Sequence, residues 1–249
     1  MNIIEYGKNN KDILIFLHGG GLSWWNYKEI ALELKDQYHI VIPILDGHSG
    51  SAHSFISIED NAKRIINYID EEFNGSVKFI GGVSLGGQIL IEMLTQRSDI
   101  CEFAFIESAL VLPMKFTNIL IKPMINMSFW LIKQKWFSKL QFKELKIKHD
   151  LFNDYYRDTC NIKKDDMISF LKANTSYSLK ERIKDTKVKV LIFVGQKELS
   201  NIIRSAKLLN QNIPNSQLKI LPNLYHGEFS LNYTNEYINE LNGLIGEIR

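Results

Sequence analysis

Short apolar runs that do not alternate with polar residues most constrain what this chain can fold into. ILIFL at residues 13–17, IVIPIL at 40–45 and VKVLIFV at 188–194 are too uniformly apolar for strands with one wet face. Runs of this kind, bounded by turn residues, mark strands buried on both faces, as in a parallel sheet covered by helices. Helical patterns lie between them. Residues 23–35 read as one helix. Ser57 and Asp60 form an S-x-x-D start signal for another, with Ala62, Ile65, Ile66, Ile69 and Phe73 on one face. After Asn74-Gly75 the pattern predicts a strand at 77–80, the segment GGVSLGG, and a helix carrying Ile89, Leu90, Met93 and Leu94. Further strands are expected at 101–106 and 217–221. A helix is expected from about residue 201, and a closing helix with Ile238, Leu241, Ile245 and Ile248. Pro43 sits inside the second run, where a proline would interrupt a central ladder. Strands alternating with helices in this way imply βαβ units and a mostly parallel central sheet flanked by helices.

The rhythm breaks between residues 113 and 180, which are helical in pattern and rich in aromatic residues and lysine. Phe129, Ile132, Trp136 and Leu140 follow helical spacing, with Lys133, Lys135 and Lys139 between them. The simplest organisation is one α/β core, residues 1–112 and 181–249, interrupted by a helical lid or cap at 113–180. Loop-closure entropy grows slowly enough with length to tolerate such an insertion. A chain of 249 residues can bury one large core. Its net charge of +2 gives no reason to expect nucleic acid as a partner. Cys101 and Cys160 suggest neither a disulfide framework nor a zinc site. With no H-E-x-x-H and no dinucleotide fingerprint, neither metal nor organic cofactor is implied. The first residues lack an apolar leader, and there is no membrane-length apolar run, so the expectation is a cytoplasmic protein.

Within this frame Gly82-Val83-Ser84-Leu85-Gly86 fits G-x-S-x-G, after a buried strand and at the start of a helix. So sharp a reversal strains Ser84 and lifts its hydroxyl above the sheet, while side chains at Gly82 or Gly86 would strike the neighbouring elements. The helix N-terminus favours negative charge developing at the same point. The segment has neither the G-K-[ST] of a phosphate-binding loop nor G-x-G-x-x-G.

A nucleophilic serine needs a base, a group to orient that base, and donors for an oxyanion. His18-Gly19-Gly20-Gly21 follows the first buried strand, so the expected donors are the amides of Leu85 and of this glycine run, Gly20 foremost. Of six histidines, His39 and His149 read as structural or surface, and His18 belongs to the glycine turn. His48 and His53 lie in the loop after the second strand. His226 follows the last strand and precedes the last helix, at the sheet edge where function concentrates in this architecture. Glu198 lies just past the strand at 188–194, which makes the chain order Ser84, Glu198, His226. Glu107 competes with it from the end of the strand before the insertion.

Taken together, LHGGG at 17–21, DGHSGS at 46–51, GGVSLGG at 81–87, VGQKE at 194–198 and YHGEFS at 225–230 resemble the α/β-hydrolase fold superfamily along nearly the whole chain. The resemblance implies nucleophile, acid and histidine at Ser84, Glu198 and His226, oxyanion amides at Gly20 and Leu85, and a helical lid over the site. It departs from the usual pattern in having glutamate where aspartate is common, and in a short N-terminus from which one or two leading strands are expected to be missing. The implied activity is hydrolysis of a carboxylic ester or thioester of a small to medium, hydrophobic molecule through an acyl-enzyme. C–C or amide hydrolysis on the same triad, and a hydrolase-like small-molecule sensor, are the alternatives. Residues 114–149 hold eight lysines and one acid, Glu144, among Trp and Phe residues. A solvated lysine-rich lid face accounts for this pattern, and docking of the lid on an anionic membrane is the second reading.

Overall fold

The computed structural model describes residues 1–246, so Ile248, expected on the closing helix, lies outside the described residues. Seven strands form one sheet: β1 (Ile3–Tyr6), β2 (Ile13–Leu17), β3 (His39–Pro43), β4 (Val77–Val83), β5 (Cys101–Glu107), β6 (Lys189–Gly195) and β7 (Ser216–Leu221). Their order is β1-β3-β2-β4-β5-β6-β7. Only β1 is antiparallel, and all four of its residues pair with β3, from Ile40 to Pro43. Pro43 is accommodated because β2 pairs with β3 only through Val41, so the proline lies beyond that ladder. Residues of β2 through β6 are almost all buried, as continuous apolar runs require, whereas the edge strand β7 is mostly part-exposed.

Helices cover both faces: α1 (Lys28–Leu34), α2 (Ile58–Glu72), α3 (Leu85–Gln96), α8 (Ser200–Asn212), α9 (Glu228–Asn232) and α10 (Thr234–Gly246) belong to the alternating pattern. The single helix expected at 23–35 is instead a 3-10 turn, Trp24–Tyr27, leading into α1. Ser57 caps α2 by accepting from the Asp60 amide at 3.0 Å. Ile58, Ala62, Ile65, Ile66 and Ile69 are buried beneath it. Each buried isoleucine contributes about 1.5–3 kcal/mol against about 1 for a cap, so packing decides that this helix forms and the cap decides where it starts.

Residues 113–180 contain no strand. They form α4 (Lys115–Ile132), α5 (Lys135–Glu144), α6 (Phe152–Asn161) and α7 (Lys164–Ser176). The stripe expected from Phe129 to Leu140 is broken at Lys133-Gln134, where α4 ends. Ile132 is buried beneath the break, while Trp136 and Leu140 on α5 face outward. Polar ties hold this layer to the core. Asp158 accepts from Trp25 Nε1 at 2.9 Å and from Ser49 Oγ at 3.1 Å, and Asp166 accepts from the Phe55 amide at 2.8 Å.

Register brings the strand ends to one rim. Leu17 pairs with Gly82, Val83 with Glu107, Glu107 with Phe193, and Gly195 with Leu221. Because β3 and β4 lie on opposite sides of β2, this rim contains the topological switch point where open α/β sheets bind ligands. The β4–α3 turn fits only without side chains: a Cβ on Gly86 would lie 2.1 Å from the Leu17 carbonyl oxygen, and one on Gly82 2.5 Å from that of Gly86. Gly243 in α10 has nothing within 4 Å of its Cβ position. Gly86→Ala is expected to lower the unfolding free energy by about 3 kcal/mol. Gly243→Ala is expected to raise it by about 0.5–1 kcal/mol through helix propensity. Urea unfolding midpoints at unchanged slope measure both.

Candidate active site

Ser84 stands between β4 and α3 with φ 53 and ψ −113, a left-handed conformation that a side-chain-bearing residue adopts at a cost of about 1–3 kcal/mol. Its amide donates to the Glu107 carbonyl at 2.8 Å, which holds the turn. From this position Ser84 Oγ lies 2.9 Å from His226 Nε2. His226 Nδ1 lies 2.7 Å from Glu198 Oε2. A carboxylate facing Nδ1 can only accept, so the imidazole carries its proton there and Nε2 is left to accept from the Ser84 hydroxyl. The three residues thus form one directed chain of hydrogen bonds across 142 positions of sequence.

Each partner is placed by a strand end. Glu198 follows β6 with its side chain fully buried, while that of His226 is 44% exposed. The other glutamate oxygen, Oε1, accepts from the Gly195 amide at 2.7 Å and from Ser108 Oγ at 2.7 Å. Ser108 Oγ in turn accepts from the Gly227 amide at 3.1 Å, which fixes the backbone immediately after His226. Gly227 has φ 68, allowing the chain to leave the loop and enter α9. Ser108 itself has φ 55, and sequence reasoning did not single it out. A serine after a strand is ordinary, and its partners are 90 and 119 residues away.

Across from Ser84 lies the glycine loop after β2. The Gly19 amide donates to Asn26 Oδ1 at 3.3 Å, that of Gly21 to His48 Nε2 at 3.0 Å, and that of Leu22 to the Gly19 carbonyl at 3.1 Å. Gly20 is the exception: among the described residues its amide donates to no protein acceptor, and neither does that of Leu85 at the start of α3. The two residues adjoin, since a Cβ on Gly20 would lie 3.6 Å from that of Leu85.

Two buried histidines brace the loop. His18 Nε2 accepts from the Leu45 amide at 3.1 Å, and its Nδ1 faces the Gly19 carbonyl at 3.0 Å. Burial, reinforced by the neighbouring His48, pushes the His18 pKa down to about 3. Burial likewise lowers His48 to about 4. Both rings are therefore neutral acceptors at physiological pH. His48 also stacks on Phe170, with ring centroids 4.7 Å apart, so α7 touches the residue that holds Gly21.

Beside Gly20 and Gly21 a cavity of about 290 Å³ opens against the helical segment 113–180. Ile125, Ile132, Phe137, Met167, Phe170 and Leu171 form most of its wall, with Ser128, Gln141, Tyr155 and Thr159 as polar members. No carboxylate and no cationic side chain lines it among the described residues.

Glu107, the competing acid, does not face His226 in hydrogen-bonding contact. Its oxygens accept from the amides of Phe229 at 3.0 Å and Ser230 at 3.2 Å, at the start of α9. Burial raises its pKa from 4.5 to about 7, against the hydrogen bonds to Ser230 that lower it. A folded-state pKa above the unfolded one means that the native protein binds the extra proton. This stability is present below the unfolded value of 4.5 and is lost as pH rises through about 7. Glu107→Gln, which keeps an acceptor for both amides and removes the titration, is expected to gain stability relative to the parent as pH rises. Unfolding midpoints of the two proteins between about pH 5 and pH 8 measure the difference.

A family model described as serine aminopeptidase, S33, matches residues 8–230. Among solved structures, a hydrolase from Pseudomonas aeruginosa PA01 superposes with a TM-score of 0.82 at 11% identity, covering 98% of this chain and 93% of the other. An esterase (EaEST) from Exiguobacterium antarcticum gives 0.81 at 16%, covering 98% and 94%. MenH from S. aureus gives 0.78 at 17%, covering 99% and 97%. At these identities the likeness is one of fold. No curated protein matches the sequence. The family model spans nearly the whole chain and the same architecture recurs in these structures end to end; the chain belongs to the serine aminopeptidase S33 family and is an enzyme of the α/β-hydrolase fold.

Proposed function

We propose that the protein is a serine hydrolase acting on a carboxylic ester or thioester of a small to medium hydrophobic molecule, through an acyl-enzyme on Ser84. The directed chain from Ser84 Oγ through His226 to Glu198 carries this reading. In the proposed cycle Ser84 attacks the carbonyl carbon as His226 Nε2 takes the hydroxyl proton. Glu198 stabilises the resulting imidazolium and fixes its orientation. The amides of Gly20 and Leu85 receive the oxyanion of the tetrahedral intermediate. Both are free to do so, and one donor of this kind is worth about 2.7–4 kcal/mol of barrier. His226 then returns the proton to the leaving alcohol or thiol, and a water activated by the same imidazole releases the acid.

The cavity beside Gly20 supports a hydrophobic acyl or alkyl group, and residues 113–180 act as the lid that roofs it. An aminopeptidase substrate would bring an α-ammonium group, whose burial calls for a nearby carboxylate. The lining supplies none, which favours an uncharged ester or thioester over an amino-terminal peptide.

A fluorophosphonate probe followed by peptide mapping is expected to place the adduct on Ser84, and unmodified Ser84 in the folded protein overturns the reading. Towards p-nitrophenyl esters Ser84→Ala is expected to lower kcat by on the order of 10⁶-fold. Glu198→Gln removes the group that fixes the histidine tautomer, with an expected loss of roughly 10³–10⁴-fold. Glu107→Gln should leave most of the rate intact, and equal losses for the two glutamine variants would contradict the assignment of Glu198.

A further inference from the structure

Helix α4 is apolar on two opposite faces, and the protein covers only one. Ile121, Ile125, Phe129 and Ile132 form the inner stripe: Ile121 is buried, the other three pack on the core, and Ile125 and Ile132 contribute to the wall of the cavity. Phe116, Ile119, Met127 and Trp130, at i, i+3, i+11 and i+14, form a second stripe pointing away from it, and α5 adds Trp136 and Leu140. These six side chains are between 56% and 79% exposed. A water-facing helix ordinarily carries polar residues on its outer face, and a helix that is apolar all round is ordinarily buried all round. Isolated exposed hydrophobics need no explanation, but six on two successive helices do.

The charges around this face are of one sign. Lys115 and Lys122, seven residues apart, run along one flank of the outer stripe of α4. Lys133 follows the helix, and Lys135, Lys139 and Lys143 are exposed on α5 between and beside its apolar residues. Of the eight lysines in residues 114–149, only Lys148 makes an ion pair among the described residues, with Glu29. Exposed Leu and Ile side chains, tryptophan and unpaired lysine on one helical face are what an anionic bilayer interface accepts, the apolar groups entering the headgroup boundary and the ammonium groups meeting lipid phosphates. A second copy of the chain docking through the same patch would set lysine against lysine, because a two-fold interface apposes identical surfaces. A solvated lysine-rich face accounts for the lysines but leaves the apolar stripe unexplained.

We infer that the outer face of α4 and α5 is a docking surface for an anionic lipid membrane. No helix among the described residues is long and apolar enough to cross one, so the contact is peripheral. Docking there seats the roof of the cavity beside Gly20 against the bilayer.

Co-sedimentation of the full chain with phosphatidylcholine vesicles, with and without phosphatidylglycerol, tests this. Binding is expected only with phosphatidylglycerol present. It should weaken with added salt and be accompanied by a blue shift of tryptophan fluorescence. Lys115→Gln, Lys122→Gln and Lys139→Gln are each expected to weaken it about fivefold. Combining Met127→Ser with Trp130→Ser is expected to abolish the fluorescence shift. Ser84→Ala should bind as the parent does, so that failure of the catalytic reading would be seen separately from failure of this one. Absence of binding at low ionic strength, or equal binding to neutral vesicles, overturns the inference. So does concentration-dependent self-association removed by the Met127 and Trp130 substitutions, which would make a second copy the occupant. The wild-type arms decide the matter even if a variant fails to fold.

Discussion

The backbone at Gly86 lies against the carbonyls of Leu17 and His18 more closely than any side chain permits, and the site is built on that contact. It presses the start of α3 onto the end of β2, so Leu85 adjoins the glycine loop at Gly20. The same compression forces Ser84 into its left-handed conformation. A strained turn of this kind persists only where its surroundings over-determine it. Here the constraint comes from β4 at the centre of the sheet, from the bond between the Ser84 amide and the Glu107 carbonyl, and from a first helical turn that is buried throughout. The geometry is thus a property of sheet packing before it is a property of catalytic groups.

Two buried glutamates sit at the same rim and are separated by what satisfies their oxygens. The oxygens of Glu107 are taken up by the amides that open α9, so it anchors the segment following His226 from behind. Glu198 spends one oxygen on Gly195 and Ser108 and keeps the other for the imidazole. Burial makes Glu107 hold a proton to unusually high pH, and proximity to Glu198 acts in the same direction. A proton on Glu107 removes a like charge from beside Glu198, the carboxylate that faces the histidine. One acid is therefore tied into the scaffold at α9, and the other keeps an oxygen for His226.

Much of this could be read from the chain because a parallel sheet writes its strands as continuous apolar runs and places functional residues just beyond their ends. Ser84 and Glu198 each follow such a run and His226 follows the more polar edge strand β7, so their convergence follows from topology once the strands are assigned. Which of Glu107 and Glu198 meets His226 needed coordinates, since both end strands and only hydrogen-bond partners distinguish them. Ser108 was beyond reach for the same reason: its role lies entirely in contacts across 90 or more residues. Periodicity also ran one stripe across the joint between α4 and α5. Lys133 and Gln134 are compatible with a helix interior, and nothing local marks the point at which the stripe changes sides.

Apolar spacing identifies the faces of a helix, but it does not say which face meets protein. For α2 the question does not arise, since its polar face leaves one answer. In α4 both faces satisfy the rule for burial, and the core has room for one. The inner stripe is selected because it closes the cavity next to Gly20, where Ile125, Ile132 and Phe170 of α7 meet. Turning the helix over would bury Phe116 and Met127 and would set against solvent the Ile125 and Ile132 that now wall the cavity. The apolar face left outside is therefore the consequence of a helix with two faces fit for burial and one core to receive them.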